Sequence, residues 1–557
     1  MQLISARRGF ATNSSSSHSL IFVQDPKTLP DYNGSGDFGW DYFVQKTPEQ
    51  KMAYFYQMFK DNFGEDTQEM ADYFEVPVEM VDKFAYDGYI DHKSAYFMTL
   101  EQAKAILFND NFAILGGNDN SEPPSWTKEF QKIETDILDF VQKEYQKHIA
   151  SGKSKTILTK TFRYQDAIIV IEKGVATVFC TRDGTKLRFN MEGSGEIYLS
   201  TPELVDIKIT DYCPYGCSYC YQDSTVDGLH ANIDTLKSMI DDMKSNGVFE
   251  LAIGGGEPTL HPDFIEILEY CSQEKEGSFP IIPNFTTRNL SVFTKNMKNA
   301  EKIMDNIGGF AFSIDDSKGI KTFINAVNKV MLKAKKLYEK ELENKGSIKR
   351  AKFSPGDYMN LAGNMLNKAS IQVVLGSMSR EEYKKTMKDF NSSIQELYKI
   401  EKTISNILDK VREQAEERDY SIFYRRWDYF KPIPTVMLLG YKTTGRGSKP
   451  EYDYSDNALS DIKEMVSNPY FDVGIDTAAA VQLSSELQRE EVPKEFYYVK
   501  EGVASCYIDA VANTMASSSY CPEVENGNMD IYSKETFIDN FNQYQKKGFN
   551  AISIANI

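Results

Sequence analysis

Between residues 204 and 440, short runs rich in β-branched and apolar residues alternate with longer stretches of helical period, and this alternation restricts the fold more than any other feature. Strands are expected at 204–210, 249–254, 279–286, 309–315, 370–376 and 434–440. Helical patterns fall near 233–246, 262–275, 289–305, 318–344 and 380–417, the last with a near-heptad stripe of Phe390, Ile394, Leu397, Ile404, Leu408 and Val411 that reads as packing. Such alternation demands a parallel sheet with right-handed crossovers. Six units make an open, partial (β/α)6 barrel, in which reactive groups belong at the C-terminal ends of the strands.

The first of these strand ends carries Cys213, Cys217 and Cys220, three of seven cysteines within eight residues, spaced C-x3-C-x2-C. Thiols crowded this closely have two common outlets, disulfides and metal. A disulfide leaves an odd cysteine over. A tetrahedral zinc site wants a fourth nitrogen or sulfur ligand, and His230 lies ten residues on, past a loop. Compact Cys-x2-Cys runs in loops suit iron–sulfur clusters. Three thiolates on a four-iron cluster would leave one iron open, the mark of a reactive centre.

With aromatic Tyr219 just before its last cysteine, this motif resembles the cluster loop of the radical S-adenosylmethionine (radical SAM) superfamily. The resemblance implies a [4Fe-4S] cluster held by Cys213, Cys217 and Cys220, whose free iron binds the amine and carboxylate of SAM. It further implies reductive cleavage to a 5′-deoxyadenosyl radical that abstracts hydrogen from a substrate.

One βα unit later stands Gly254-Gly255-Gly256-Glu257-Pro258. Glycine lets a ligand lie against backbone, and a carboxylate can bond a cation. Gly255, Gly256 and Glu257 resemble the superfamily segment that binds the methionyl amine. The third strand ends in Asn284-Phe285-Thr286-Thr287-Arg288-Asn289 and the fourth in Ser313-Ile314-Asp315. Hydroxyls and carboxylates there suit a ribose or a carboxylate, and the resemblance implies that a polar residue of the fourth strand contacts the SAM ribose, which makes Ser313 the first choice and Asp315 the second, with Thr287 a further cofactor-binding candidate, although each alone would serve as a helix cap. By order along the chain, Gln372, Val374 and Leu439 resemble adenine-side positions, and Tyr219 is placed beside the adenine.

Residues 1–200 read as an N-terminal accessory domain of α+β character, 201–445 as the barrel, and 446–557 as a small α+β extension. The N-terminal part opens on a serine run at 14–17 that reads as a flexible arm, then turns helical over 47–150. Within it Met70–Val81 reads as a helical hairpin, too acidic for a DNA-reading helix. From 160 to 198 the pattern is β-rich, with a hairpin turn at Thr181-Arg182-Asp183-Gly184. Cys180 and Cys271 read as core. Thr443–Ser448 reads as a linker-like turn, followed by helical patterns at 457–467 and 534–546 and a hairpin between Ser505 and Cys521.

That hairpin resembles the twitch and SPASM extensions of radical SAM enzymes that modify peptides. Such extensions supply three or more cysteines, whereas Cys506 and Cys521 stand alone, so a clusterless remnant is favoured over a second cluster.

With 557 residues, 41% apolar and 13% aromatic content, the chain has ample material for folded cores. A net charge of −18 argues against a general nucleic-acid grip. No apolar run reaches membrane-spanning length, and cysteines without a secretory signal fit a reducing cytoplasm. The extension and the charge favour a peptide or protein substrate and a maturase-like modification, with flavodoxin or ferredoxin as reductant. Nucleotide or tRNA-base modification and a non-catalytic scaffold are the alternatives.

Overall fold

The computed structural model describes residues 2–7, 43–45, 47–63, 67–83, 100–108, 114–116, 135–162, 165–172, 174–182, 184–192, 199–273, 279–343, 353–414, 435–447, 472–483, 485, 504–516, 518–519 and 541. The serine run, Cys521 and the helical patterns at 457–467 and 534–546 fall outside these, apart from Phe541.

The N-terminal part begins with β1 (Gln2–Arg7) and β2 (Phe43–Gln45), followed by helices α1 (Pro48–Phe63), α2 (Thr67–Phe74), α3 (Val78–Asp82) and α4 (Leu100–Leu107). Then come β3 (Ile114–Gly116), α5 (Thr135–Ser151) and strands β4 (Lys155–Phe162), β5 (Gln165–Glu172), β6 (Val175–Cys180) and β7 (Lys186–Asn190). The helices α2 and α3 form the expected hairpin, turning Met70, Phe74 and Val81 into a core shared with Phe55 and Phe59 of α1. A five-stranded antiparallel sheet runs β1-β7-β6-β5-β4. Its central strands are apolar on both faces because both are covered. Ala167, Ile169 and Ile171 of β5 pack with Ile137 and Val141 of α5, while Ile168 and Val170 pack with Phe179 and Phe249. Phe179 of this sheet and Phe249 of the next stack with centroids 5.3 Å apart.

The second unit supplies β8 (Leu204–Lys208), α6 (Ile233–Asn246), β9 (Glu250–Gly254), α7 (Phe264–Ser272), β10 (Ile282–Thr287), α8 (Ser291–Thr294), α9 (Met297–Asn306) and β11 (Phe310–Ile314). It continues with α10 (Ser317–Glu343), α11 (Pro355–Asn367), β12 (Ala369–Val374), α12 (Arg380–Gln414) and β13 (Thr435–Leu439). The last elements are β14 (Asp472–Ile475), α13 (Thr477–Gln482), β15 (Ser505–Asp509) and β16 (Thr514–Ala516). All six expected strands, β8 to β13, lie side by side in chain order and parallel. The mixed α/β sheet is open, and two additions were not foreseen. Strand β14 extends it beside β13, and β15 pairs in parallel with β8, carrying β16 antiparallel on its far side. The hairpin expected in the C-terminal extension is thus an edge of the barrel sheet.

Local chemistry explains the helix bounds. Asn232 caps α6 by accepting from the backbone N–H groups of Asp234 and Thr235, and Gly247 ends it in the left-handed region. The helix expected at 289–305 is broken in two because Asn296 takes an extended conformation and caps α9. Helix α11 escaped the sequence reading, although Ser354-Pro355-Gly356-Asp357 forms a full capping box with proline in the first turn. In α12 the buried residues Phe390, Ile394, Leu397 and Ile404 confirm the stripe as packing, and the side chains of Leu408 and Val411 are outside the described set. No described helix is long and apolar enough to cross a membrane.

The two units meet at Glu203, 4% exposed, just before β8. Its carboxylate accepts from Arg188 at 2.5 and 3.1 Å and from Thr177 at 2.6 Å, with Lys186 at 3.0 Å. Its backbone bonds Phe249 and Ala504. Burial pushes this carboxyl's pKa up, but Arg188 and Lys186 outweigh burial and hold it well below the ordinary carboxylate range. Glu203→Ala, which removes the carboxylate that both buried cations face, is expected to cost about 3–5 kcal/mol in denaturant unfolding of the native chain. Because the folded-state pKa is lowered, this contribution is complete above about pH 4.5 and fades as pH falls through the folded value. The difference between wild type and variant should therefore shrink only in acid.

Candidate active site

Strand β8 ends in an apolar barrel wall, and the chain then leaves the sheet as a loop from Asp211 to Ala231. Two isolated bridges, Thr210 with His230 and Tyr212 with Thr225, cinch its base. The Cys213 N–H donates to the Thr225 carbonyl at 2.8 Å. Lys208 Nζ ties the loop to the barrel edge, lying 2.6 Å from Asp211 and 2.6 Å from Asp509 on β15. Cys213, Cys217 and Cys220 are all half-buried free thiols.

They line one cleft at the C-terminal ends of the strands. Gly255, Gly256, Glu257, Tyr219, Thr287, Ser313, Gln372, Val374 and Leu439 line the same cleft. The structure thus brings together the expected site residues with one exception. Asp315, 43% exposed at its side chain, does not line the cleft and pairs instead with Arg288 Nη2 at 2.9 Å.

The Gly-Gly-Glu turn is built against the cysteine loop. The Gly256 N–H donates to the Thr210 carbonyl at 2.6 Å and the Glu257 N–H to the Tyr212 carbonyl at 2.8 Å. A Cβ on Gly255 would lie 2.3 Å from Thr210 O, and one on Gly256 would lie 2.2 Å from Tyr212 O. The sequence reading gave these glycines a ligand to accommodate; the backbone they admit most closely is that of Thr210–Tyr212. Glu257, 2% exposed, accepts from Thr287 Oγ1 at 2.6 Å, Thr259 Oγ1 at 2.5 Å and the Arg288 N–H at 2.9 Å. Burial pushes its pKa up, and these donors work against that. The result is a rigid carboxylate in a low-dielectric wall, suited to a cation.

Across the cleft Ser313 Oγ donates to Gln372 Oε1 at 3.2 Å, the two being register partners on β11 and β12. Arg288 Nη2 also donates to the Tyr219 hydroxyl at 2.9 Å, fixing a ring that lies next to Cys220 in the chain.

Among the described residues, no three His, Cys, Asp or Glu side chains are grouped as ligands for a single ion. Three free thiols that line one cleft suit a cluster whose corners take one sulfur each and leave one corner free. Burial raises the thiol pKa of Cys213 and Cys217, so loading such a group must release protons.

The sequence reading missed Asp206, Tyr221, Ser224 and Lys442, which also line the cleft. Asp206 had a signal. Val205 and Ile207 pack into the helical layer, so the charged residue between them must face the barrel interior. Lys442 stands between the strand read at 434–440 and the linker-like turn at Thr443–Ser448 that holds Arg446, and neither position belongs to a period that would reveal it.

Cys506, 1% exposed, sits in the barrel core opposite Val205, and Cys271 is likewise core. Cys506→Ala is expected to leave iron content unchanged and to cost about 1 kcal/mol of stability. A loss of about four irons per chain would show an additional cluster there.

The family model for the radical SAM superfamily matches residues 207–345. An S-adenosylmethionine-dependent nucleotide dehydratase of Selenomonas ruminantium is 39% identical over 71 residues, 12% of this chain and 24% of that one. The mycofactocin maturase MftC of Mycobacterium tuberculosis (strain CDC 1551 / Oshkosh) is 32% identical over 80 residues, 14% of this chain and 20% of that one. The chain thus spans about a fifth to a quarter of the length of these curated relatives. Streptococcus suis SuiB, solved with its precursor peptide SuiA, aligns with a TM-score of 0.34 at 15% identity, covering 61% of this chain and 66% of that one. The matched segment runs from β8, through the cysteine loop and the Gly-Gly-Glu turn, to the end of α10: the chain carries a radical SAM domain.

Proposed function

We propose that the chain is a radical SAM enzyme that modifies a peptide or protein. The observation that carries the chemistry is the cleft itself, where Cys213, Cys217 and Cys220 face the Gly-Gly-Glu turn across one mouth. Bound there, a [4Fe-4S] cluster and SAM would supply a 5′-deoxyadenosyl radical that takes hydrogen from the substrate. The three thiols would hold the cluster, and Glu257, fixed by Thr259, Thr287 and Arg288, would orient the amine of SAM. Ser313 and Gln372 would offer hydroxyl and amide groups to the ribose and adenine side, with Thr287 and Tyr219 lining the same cleft. The apolar lining from Ala252, Ile253, Val374 and Leu439 would exclude water and stray hydrogen donors from the radical.

A peptide is favoured by the charges lining the cleft. Its described cations are Arg288, engaged by Asp315 and Tyr219, and Lys442, whose Nζ lies 4.5 Å from the Tyr221 ring centroid. That gives a polyphosphate little to grip. A relative named PqqA peptide cyclase, 32% identical over 73 residues, points the same way. The relative named as a nucleotide dehydratase supports the second reading, modification of a nucleotide.

Anaerobic reconstitution with iron and sulfide counting, then SAM turnover, tests the reading. Peptides, including one spanning residues 1–25 of this chain, are compared with nucleoside triphosphates, using flavodoxin or ferredoxin as reductant. Absence of iron uptake and of 5′-deoxyadenosine would refute the enzyme. Stimulation by nucleotides alone would transfer the substrate assignment to the second reading.

A further inference from the structure

Residues 441–447, directly after β13, lie against the cysteine loop. The Arg446 N–H donates to the Cys220 carbonyl at 3.0 Å, Nε to the Cys217 carbonyl at 3.2 Å and Nη2 to the Ser224 carbonyl at 3.0 Å. Nη1 pairs with Asp223 Oδ1 at 2.7 Å, and Thr444 Oγ1 donates to the Tyr221 carbonyl at 3.2 Å. Gly445, at φ +60°, makes the approach possible, since a Cβ there would lie 2.6 Å from Tyr221 O and 2.7 Å from Cys220 O. Asp223 itself sits at φ +52°, a conformation that a non-glycine residue keeps only with support.

A loop that turns three thiols one way must leave backbone carbonyls without the ladder partners that a strand or helix provides. Here the Cys217 and Cys220 carbonyls have only long bonds of 3.3 Å from the Cys220 and Asp223 N–H groups within the loop, and the Arg446 side chain and backbone N–H add a second donor to each, the side chain serving the Ser224 carbonyl as well. A guanidinium is a rigid fork of five donors, and no other side chain can reach several acceptors in fixed directions at once. The contact also spans the open side of the barrel. In the sheet, β13 and β8 are separated by four strands, yet the segment leaving β13 grips the loop leaving β8.

We propose that Arg446 is a positioning residue that holds the Cys217–Ser224 half of the loop in its ligand-presenting form before any cluster is present, closing the barrel mouth where the sheet does not. The assignment of the thiols to a cluster rests on the function proposed above; the preorganisation itself does not.

The chain supplies its own control. Cys213 is held by Thr225, whereas Cys217 and Cys220 are held by Arg446. In pulse alkylation of the reduced, metal-free chain, Arg446→Gln is expected to speed modification of Cys217 and Cys220 about tenfold while Cys213 changes little. In reconstituted protein the same variant should lose iron to a chelator about tenfold faster and alter the electron paramagnetic resonance spectrum of the reduced cluster, with Arg446→Lys recovering only part of the difference. Asp223→Asn, which removes one exposed ion pair, gives a milder form of both effects should Arg446→Gln misfold. Wild-type alkylation and iron retention in Arg446→Gln, or in Asp223→Asn if the former misfolds, would overturn the proposal. Faster alkylation in a chain whose wild type takes up no iron would instead uphold the positioning role and refute the cluster.

Discussion

Cys217→Ala is expected to abolish SAM-dependent 5′-deoxyadenosine formation and to lower iron per chain. Cys217 is the central thiol of the loop, lines the cleft and is half-buried beside Arg288. Its removal takes away one of the three thiols proposed to hold the cluster. The loss should therefore exceed the roughly 10–100-fold that removal of an outer-shell partner costs at a metal site. Cys271→Ala is the matched control, a thiol on α7 in the barrel core that does not line this cleft. It should keep wild-type iron and turnover at a modest cost in stability. Turnover by Cys217→Ala at the wild-type rate would remove the catalytic assignment of the loop.

Gly255→Ala has the second-largest expected effect, and it acts without touching a thiol. The residue sits at φ +122°, where alanine is strained, and its new methyl would lie 2.3 Å from Thr210 O and 2.9 Å from Lys208 Cγ. Backbone is met on one side, so the turn must move by about an ångström. The combined strain and overpacking should cost roughly 2–4 kcal/mol. Glu257 is carried on the same turn, and a displacement of that size costs about 100-fold where orientation matters. Iron content should fall far less than in Cys217→Ala, because the thiols are untouched. Iron counting and SAM turnover on the same preparation separate the two variants. Wild-type turnover in Gly255→Ala would show that the turn does not set the geometry of the cleft.

The strands and the cleft were legible in the sequence because each rests on a local rule. A β-branched run between helical periods marks a buried parallel strand whatever its neighbours, and cysteine spacing survives any fold. The Ser354–Asp357 capping box was equally local and went unread because helix α11 is inserted between two strands that already had a long helix, α10, to connect them. Other features lie beyond local rules. Nothing in Thr443–Gly447 shows that Arg446 will meet carbonyls more than 200 residues earlier. Nor could pattern show that Asp315 turns to Arg288, because either direction suits a polar residue at a strand end. The pairing of β15 with β8 is of the same kind, since an apolar strand advertises burial but not its partner.

That pairing has a consequence for how the protein is made. Strand β8, from which the cysteine loop springs, gains its second neighbour only from residues 505–509, about 300 residues downstream. At ~5–20 residues per second, a ribosome leaves that flank bare for roughly 15–60 s. The grip of Arg446 on the loop arrives sooner, some 60 residues before the last strand to join β8. Translation order thus sets the loop's shape first and seals its strand afterwards, so a chain stalled before residue 505 would carry a shaped but unsealed site with an adhesive β-edge beside it.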